Sequence, residues 1–401
     1  MYIQRTLEKE FLRESDFFPV MLIAGPRQVG KITLLKHLAE TNRTYVTLDD
    51  PMAKMLAKND PKTFLDRFQP PVLIDEVQYA PELFPYIKMK VDSDPTPGQF
   101  WLTGSQQFQM MKGVSESLAG RVGILTLYGF SQQEMKHREC VPFRPDADFA
   151  LTEEANNILD VFHMIWKGSY PKMFGADDSF WEAFYSSYLN SYIERDVRDL
   201  TLIKDTTVFT KFIRLVAART GQELNYSDLS RDAELPQATI RNYLGILQAS
   251  SLIYLLQPYS NNLNQRLIKR PKLYFLDTGL AAYLTGWSNA KVLEAGAMAG
   301  AFFETWCLGE LLKSYAFNGK KAPFYYYRDK DKREIDLVIE QDGTLYPVEF
   351  KKSSNPTSDS VRHFFVLEQF KKPIGKGAVI CTARRYLPLD ANHVAIPTFL
   401  I

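Results

Sequence analysis

Residues 20–33 read VMLIAGPRQVGKIT, and this stretch decides the fold of the front of the chain. A short apolar run, Val20–Ala24, ends in Gly25. Gly30 and Lys31 follow, and then Leu34, Leu35 and Leu38 recur at helical spacing. The order is strand, loop, helix. Gly25-x4-Gly30-Lys31 is the Walker A spacing. Its glycines let backbone N–H groups turn inward around an anion, its lysine reaches the β and γ phosphates, and the helix points its N-terminal dipole at the same charge. Gly25, Pro26, Arg27, Gln28, Val29, Gly30, Lys31, Ile32 and Thr33 therefore form the candidate ATP-binding loop. One position departs from the pattern. The residue after the lysine is normally Ser or Thr, whose hydroxyl ligates Mg2+, but here it is Ile32, and Thr33 comes one residue late. The expectation is retained nucleotide binding with weakened metal-dependent hydrolysis.

Downstream, Pro70-Pro71-Val72-Leu73-Ile74-Asp75-Glu76 is an apolar strand ending in two acids, the Walker B pattern. Asp75 would hold Mg2+ and Glu76 would polarise the attacking water. The roughly 40 residues separating it from Lys31 leave room for a crossover between parallel strands. A further strand, Phe100–Leu102, ends in Thr103-Gly104-Ser105. Thr103, Ser105 and Gln106 are candidates for a polar group that touches water or the γ phosphate; an ordinary strand–turn gives the same residues. Arg121 is either an arginine finger, in cis or to a neighbouring copy, or a surface charge.

The segments GPRQVGK (25–31), LIDEVQYAPELF (73–84) and LTGSQQFQMMKGVSESLAGRV (102–122), in this order, resemble a widespread prokaryotic family of AAA+-like ATP-binding proteins. Its members carry a C-terminal domain of unassigned function. The resemblance extends over nearly the whole chain and implies ATP binding at Gly25–Lys31, Asp75 and Glu76. Ile32 departs from the family's usual threonine.

At 401 residues the chain exceeds one ordinary core. Residues 1–135 read as the ATPase domain, 136–207 as a linker and helical lid, 208–300 as a winged helix-turn-helix, and 301–401 as a small α/β unit. In the connector, Arg195 and Arg198 either contact nucleotide from a lid or pair with Asp196 and Asp199 along one helix. In the third segment the pattern is helix, helix, turn, helix, hairpin. Its third helix, Gln237–Gln248, turns Ile240, Tyr243, Leu244 and Leu247 inward and Gln237, Thr239, Arg241 and Asn242 outward. The loop between its last two strands carries Arg266, Lys269 and Arg270, with Lys272 opening the second strand and no acid between Leu252 and Asp277. Such residues suit phosphates and base edges, although winged helices also serve as protein-binding modules.

In the last segment Glu304 interrupts an apolar helix, Asp336 lies in an apolar strand, and Glu349 and Lys351 share one side of the next strand. An Asp followed across a hairpin by Glu-x-Lys resembles the PD-(D/E)xK restriction-endonuclease-like fold. That resemblance implies Mg2+ held by Asp336 and Glu349, with Glu304 joining, and Lys351 on the attacking water. A hairpin with alternating polar faces produces the same triplet by chance.

Composition closes off other classes. Cys140, Cys307 and Cys381 are far apart, which argues against a disulfide framework or structural zinc and for a reducing cytoplasm. The charged start MYIQRTLEKEF is no signal peptide, and no apolar run approaches ~18 residues, so no membrane span is expected. The five histidines are scattered and no GxSxG elbow is present, which disfavours zinc and serine hydrolases. The net charge of +1 hides an acidic front, 23 Lys/Arg against 29 Asp/Glu in residues 1–207, and a mildly basic rear that suits a polyanion. The sequence thus predicts an α/β chain, a P-loop NTPase parallel sheet followed by a helical connector, a winged helix-turn-helix and an endonuclease-like domain. Its ligands are ATP and Mg2+, DNA is the expected partner, and homo-oligomers are open. The expected function is ATP-gated DNA binding or processing; the alternative is an ATP-dependent regulator or scaffold whose rear half binds DNA or protein without catalysis.

Overall fold

The computed structural model describes residues 2–104, 117–149, 157–192, 205–261 and 270–401. Ser105, Gln106, Arg195, Arg198, Arg266 and Lys269 lie outside the described residues.

The chain opens with helix α1 (Leu7–Ser15), which buries Leu7 and Phe11. Leu12, which the helical spacing places on the same side, is 42% exposed. Strand β1 (Val20–Ala24), helix α2 (Lys31–Leu38) and strand β2 (Thr44–Thr47) follow as the pattern requires. The next stretch reads from periodicity as one helix over 54–68, but it is two, α3 (Pro51–Asn59) and α4 (Pro61–Arg67). The break is chemical. Pro61 lacks the N–H that a continuing helix needs, and the Asp60 side chain caps the new start by accepting from the Thr63 N–H. Strand β3 (Val72–Asp75), helix α5 (Leu83–Ser93), and strands β4 (Phe100–Gly104) and β5 (Val122–Thr126) complete the front unit.

These five strands form one parallel sheet in the order β2-β3-β4-β1-β5. Strand β4 therefore separates the glycine-loop strand from the acid strand. Alternate residues face opposite sides, and both sides are covered. Met21, Ile23, Leu73, Trp101 and Leu125 join a core shared with α1 and the rear of the chain. Val20, Leu22, Val72, Ile74, Phe100 and Leu102 pack with residues of α3, α4 and α5.

The passage from the front unit into the connector is buried rather than loose. Helix Gln132–Met135 is closed by a capping box between Ser131 and Glu134 and buries Gln132, Gln133 and Glu134. Helices Ile158–Lys167 and Trp181–Tyr192 follow, with Trp166 stacked on Trp181 at 4.5 Å between ring centroids. Next come helix Thr206–Ala217, strand β6 (Gln222–Glu223), helices Tyr226–Ala233 and Gln237–Ala249, and strands β7 (Ile253–Leu256) and β8 (Lys272–Phe275). The three strands make a small antiparallel sheet, β6-β8-β7.

Helices Thr278–Thr285 and Ala290–Ala295 lead to the long helix Ala299–Ala316, in which every residue from Thr305 to Tyr315 is buried. The final unit is a mixed sheet. Strands β9 (Phe324–Arg328), β10 (Glu334–Gln341), β11 (Thr344–Lys351), β12 (Gly377–Cys381), β13 (Leu387–Pro388) and β14 (His393–Pro397) lie in the order β13-β14-β12-β11-β10-β9. Among the described residues no helix is long and apolar enough to cross a membrane.

Gly25 joins the front sheet to the glycine loop under a tight constraint. Its φ is +144°, and a Cβ there would sit 2.0 Å from the Leu127 carbonyl oxygen, in the segment leaving β5. Gly120 has φ +76° but open space around it. Gly120→Ala should therefore cost about 1 kcal/mol through backbone conformation alone. Gly25→Ala should cost at least about 3 kcal/mol, because the loop must also leave β5. Comparison of thermal unfolding midpoints checks this; equal losses would refute the close approach as the cause.

Candidate functional site

Because β1, β3 and β4 run parallel, their carboxyl ends bring the glycine loop, Asp75, Glu76 and Thr103 to one edge of the sheet. This is where open α/β sheets bind ligands. The loop contains three left-handed residues, Gly25, Gln28 (φ 61°) and Gly30 (φ 93°). Lys31 begins α2 and is buried; its Nζ donates to the carbonyls of Gly25 (2.9 Å) and Pro26 (2.7 Å). Ile32 is half-buried against the core that contains Val29, Leu34 and Leu35, while Thr33 is exposed. The position that should supply a hydroxyl is thus apolar and held by packing.

Asp75 ends β3 among hydroxyl groups. Its Oδ1 accepts from Thr103 Oγ1 at 2.5 Å, and its Oδ2 lies 3.3 Å from Thr47 Oγ1 and 3.4 Å from the Tyr45 hydroxyl. Burial pushes the Asp75 carboxyl above its ordinary range, the Thr103 and Thr47 bonds oppose the shift, and the nearby Glu76 charge adds to it. Glu76 follows with φ 57°, and its N–H donates to Thr103 Oγ1 at 3.1 Å. Thr103 is fully buried. Its hydroxyl donates to one acid and accepts from the backbone of the next, so Thr103 sets the two acids in place.

Arg121 is corrected by the topology. It precedes β5, and its carbonyl accepts from the Val20 N–H at the start of β1. The glycine loop leaves the other end of that five-residue strand, about 16 Å away at ~3.3 Å per residue. Arg121 instead pairs with Asp92 and donates to the Ala119 carbonyl at 3.0 Å. A finger role in cis is overturned.

Arg5 carries no motif and was not legible from spacing, yet it grips the loop. Its side chain is buried and donates to the Val29 carbonyl (3.0 Å), the Tyr128 carbonyl (2.9 Å) and Glu134 Oε1 (3.1 Å). It thus ties the glycine loop to the segment after β5 and to the connector helix.

The rear acids gather, but around a different centre from the expected one. Lys272, read from sequence as part of a phosphate-contacting wing, has a side chain only 4% exposed. Its Nζ lies 3.0 Å from Glu304 Oε1 and 3.8 Å from Asp336 Oδ1, and it also pairs with Glu334. Tyr274 donates to Glu304 Oε1 at 2.6 Å. Asp336 Oδ2 accepts from the Phe350 N–H at 3.0 Å, while Glu349 pairs with Lys351 at 2.7 Å. Among the described residues no three His, Cys, Asp or Glu side chains converge to hold a metal ion. The expected three-carboxylate Mg2+ shell of Glu304, Asp336 and Glu349 is therefore not formed, although Asp336 and Glu349 remain neighbours across the β10–β11 hairpin, with the Asp336 N–H 3.5 Å from Glu349 Oε2. Burial, aided by Asp336, pushes Glu304 up to about 7 and Glu349 up to about 8. Burial works against the Lys272 charge, but Tyr274, Glu304, Asp336 and Glu334 outweigh it and hold its pKa well above the usual lysine range.

On helix Gln237–Ala249, Gln237, Arg241 and Asn242 are exposed and Thr239 is half-buried, while Ile240, Tyr243, Leu244 and Leu247 are buried. The Arg241 guanidinium lies over the Tyr226 ring at 4.2 Å, and Gln237 Nε2 donates to Ser227 Oγ at 3.1 Å. Arg270 is exposed.

A parallel sheet with a glycine loop on one strand and an acid strand beyond its neighbour defines the front as an AAA-type unit of the P-loop ATPase class, and residues 18–136 match a family model described as AAA domain. Residues 158–291 and 299–401 match two models described as domains of unknown function, DUF8612 and DUF4143. Over 386 residues the chain is 30% identical to the uncharacterized protein Rv2008c of Mycobacterium tuberculosis, spanning 94% of this chain and 80% of that protein. It belongs to that family. It is also 23% identical over 425 residues to an uncharacterized protein of Haemophilus influenzae, covering 98% of this chain and 95% of that one. Among solved structures it is similar to the Thermotoga maritima RuvB Holliday junction branch migration motor, at 16% identity and a TM-score of 0.29, covering 62% of this chain and 85% of that one.

The raised carboxyls give a pH signature. A carboxyl whose folded pKa lies above its unfolded value stabilises the fold below the unfolded pKa and loses that contribution as pH rises through the folded one. The contribution of Glu304 and Glu349 should therefore decline from about pH 4.5 to 8. Glu349→Gln should flatten the fall in unfolding free energy between about pH 5 and 8 by on the order of 1–3 kcal/mol. Urea titrations at both pH values measure it; an unchanged slope would show that Glu349 stays ionised.

Proposed function

We propose that this chain is an ATP-binding regulator with slow hydrolysis, whose rear half engages DNA according to nucleotide state without cutting it. The observation that carries the reading is the meeting of Gly25–Lys31 with Asp75, Glu76 and Thr103 at one sheet edge. The loop's backbone amides and Lys31 bind and orient the phosphates. Asp75, held by Thr103, is the carboxylate that would hold Mg2+, and Glu76 would polarise the attacking water. Bound Mg2+ supplies charge neutralisation at the phosphates. Ile32 offers it no oxygen, so hydrolysis is slow while binding persists.

For the rear half we read residues 208–300 as a winged helix, supported by the helix–strand–helix–helix–hairpin order around β6-β8-β7. Gln237, Arg241, Asn242 and Arg270 form its exposed polar face. The units 1–135, 136–207 and 301–401 are read as ATPase, connector and endonuclease-like sheet. Nuclease chemistry at Asp336, Glu349 and Lys351 is the second reading; the Lys351–Glu349 pair and the nearby Asp336 support it, and the Lys272 ammonium among the acids weighs against it.

Two measurements test this. Lys31→Ala should weaken ATP binding about 10–100-fold by removing one charge-assisted contact. Ile32→Thr should raise the hydrolysis rate several-fold with little change in affinity. Wild-type affinity in Lys31→Ala would remove the proposed site, and an unchanged rate in Ile32→Thr would show that the missing hydroxyl does not limit hydrolysis. Separately, Arg241→Ala should weaken duplex DNA binding and lower the salt slope by about 1. If wild type binds no duplex at low salt, the partner of this face is not DNA.

A further inference from the structure

We propose that Lys272 is the permanent cation of the rear acid cluster, an ammonium that locks strand β8 onto helix Ala299–Ala316 and strand β10 and keeps divalent metal out. The inference does not depend on the ATP reading. Its basis is that acids from two separate elements, Glu304 on the helix and Glu334 and Asp336 on β10, all face one buried Nζ from a third. Tyr274, two residues along and on the same face of β8, adds its hydroxyl to Glu304.

Lys272 is fixed by backbone as well as by charge. It opens β8, where it pairs in register with Glu223 of β6 and Leu256 of β7. Its ammonium cannot leave the acids without leaving a buried charge unpaired or disturbing the small sheet. A hard divalent cation needs several oxygens at about 2.0–2.6 Å. Here one Asp336 oxygen is engaged by the Phe350 N–H, and Glu349 is engaged by Lys351. Arg328 extends the same join from β9, reaching Glu223 at 3.5 Å and Glu334 at 3.6 Å. The residues that look like a nuclease centre are, in this reading, the keyway of an intramolecular clasp.

The test uses the full chain without nucleotide, so that no metal is drawn to the glycine loop by phosphate. Mn2+ is titrated into wild type and Asp336→Asn, with bound metal followed by electron paramagnetic resonance. The expected result is no saturable site that distinguishes the two proteins. A Mn2+ site present in wild type and lost in Asp336→Asn would overturn the proposal. In parallel, Lys272→Met should lower the unfolding midpoint by on the order of 5–10 °C, and Lys272→Met/Glu304→Gln should recover part of that loss. Strictly additive effects would also overturn it. If Lys272→Met does not fold, the wild-type metal titration decides alone.

Discussion

Three charged side chains on one buried helix govern how the parts of this molecule fit. Glu304, Glu310 and Lys313 lie on Ala299–Ala316, a helix with little solvent to offer them. Buried charge is tolerated only when paired and hydrogen-bonded. Glu310 pairs with Lys313 at 2.7 Å and accepts from the Gln132 N–H at 2.7 Å; Lys313 also donates to the Phe130 carbonyl at 2.8 Å. Glu304 takes Lys272 and Tyr274 from β8. Glu304 therefore selects β8, and the Glu310–Lys313 pair selects the segment Phe130–Gln132, to lie against the helix. Apolar replacements would pack as tightly but would not say which segment belongs where.

The front unit is joined to this helix by a continuous set of bonds. Arg5 holds the Val29 carbonyl of the glycine loop and Glu134 of the connector. Glu134 closes the capping box with Ser131, and the adjacent Gln132 N–H donates to Glu310. The side chains of Gln132 and Gln133 donate to the Ile401 carbonyl at 2.8 and 2.7 Å. The short polar helix Gln132–Met135, at the end of the segment read as the ATPase domain, is thus the joint between the glycine loop, the long helix and Ile401. Lys31, bonded to the Gly25 and Pro26 carbonyls, and Arg5, bonded to the Val29 carbonyl, thus hold the same loop.

Much of the fold was legible because it rests on local rules. The Val20–Ala24 run, the glycine spacing and the acid-ended strand each encode their element by short-range sterics and periodicity, and the inward Ile240, Tyr243, Leu244 and Leu247 follow from a 3.6-residue repeat. The helix break at Asp60-Pro61 is written in cap chemistry rather than in periodicity, a capping Asp followed by a proline at the first helical position. What could not be read was long-range pairing. Arg5 has no spacing that announces Glu134, 129 positions away. Arg121 looked like a site residue because sequence order does not show which end of a strand faces the loop. Lys272 looked like wing charge because its neighbours in sequence are basic, whereas its neighbours in space are acids.

The same limit explains why the rear acids resemble a metal centre without forming one. Asp336 and Glu349 are set by a two-residue alternation across a hairpin, and that alternation is equally good for holding Mg2+ or an ammonium. The choice is made by what the fold brings opposite. A lysine nitrogen 3.0 Å from a carboxylate gains a gross attraction of about 5 kcal/mol at an effective dielectric near 20. A divalent ion would gain more from each oxygen, but it must shed tightly held water and expel a lysine fixed in β8. Expulsion leaves either an unpaired buried ammonium or a displaced strand, and both cost several kcal/mol. With one Asp336 oxygen bonded to the Phe350 N–H and the other 3.8 Å from Lys272, an incoming metal competes with an ammonium already in place. The cluster therefore favours the cation that the chain itself supplies.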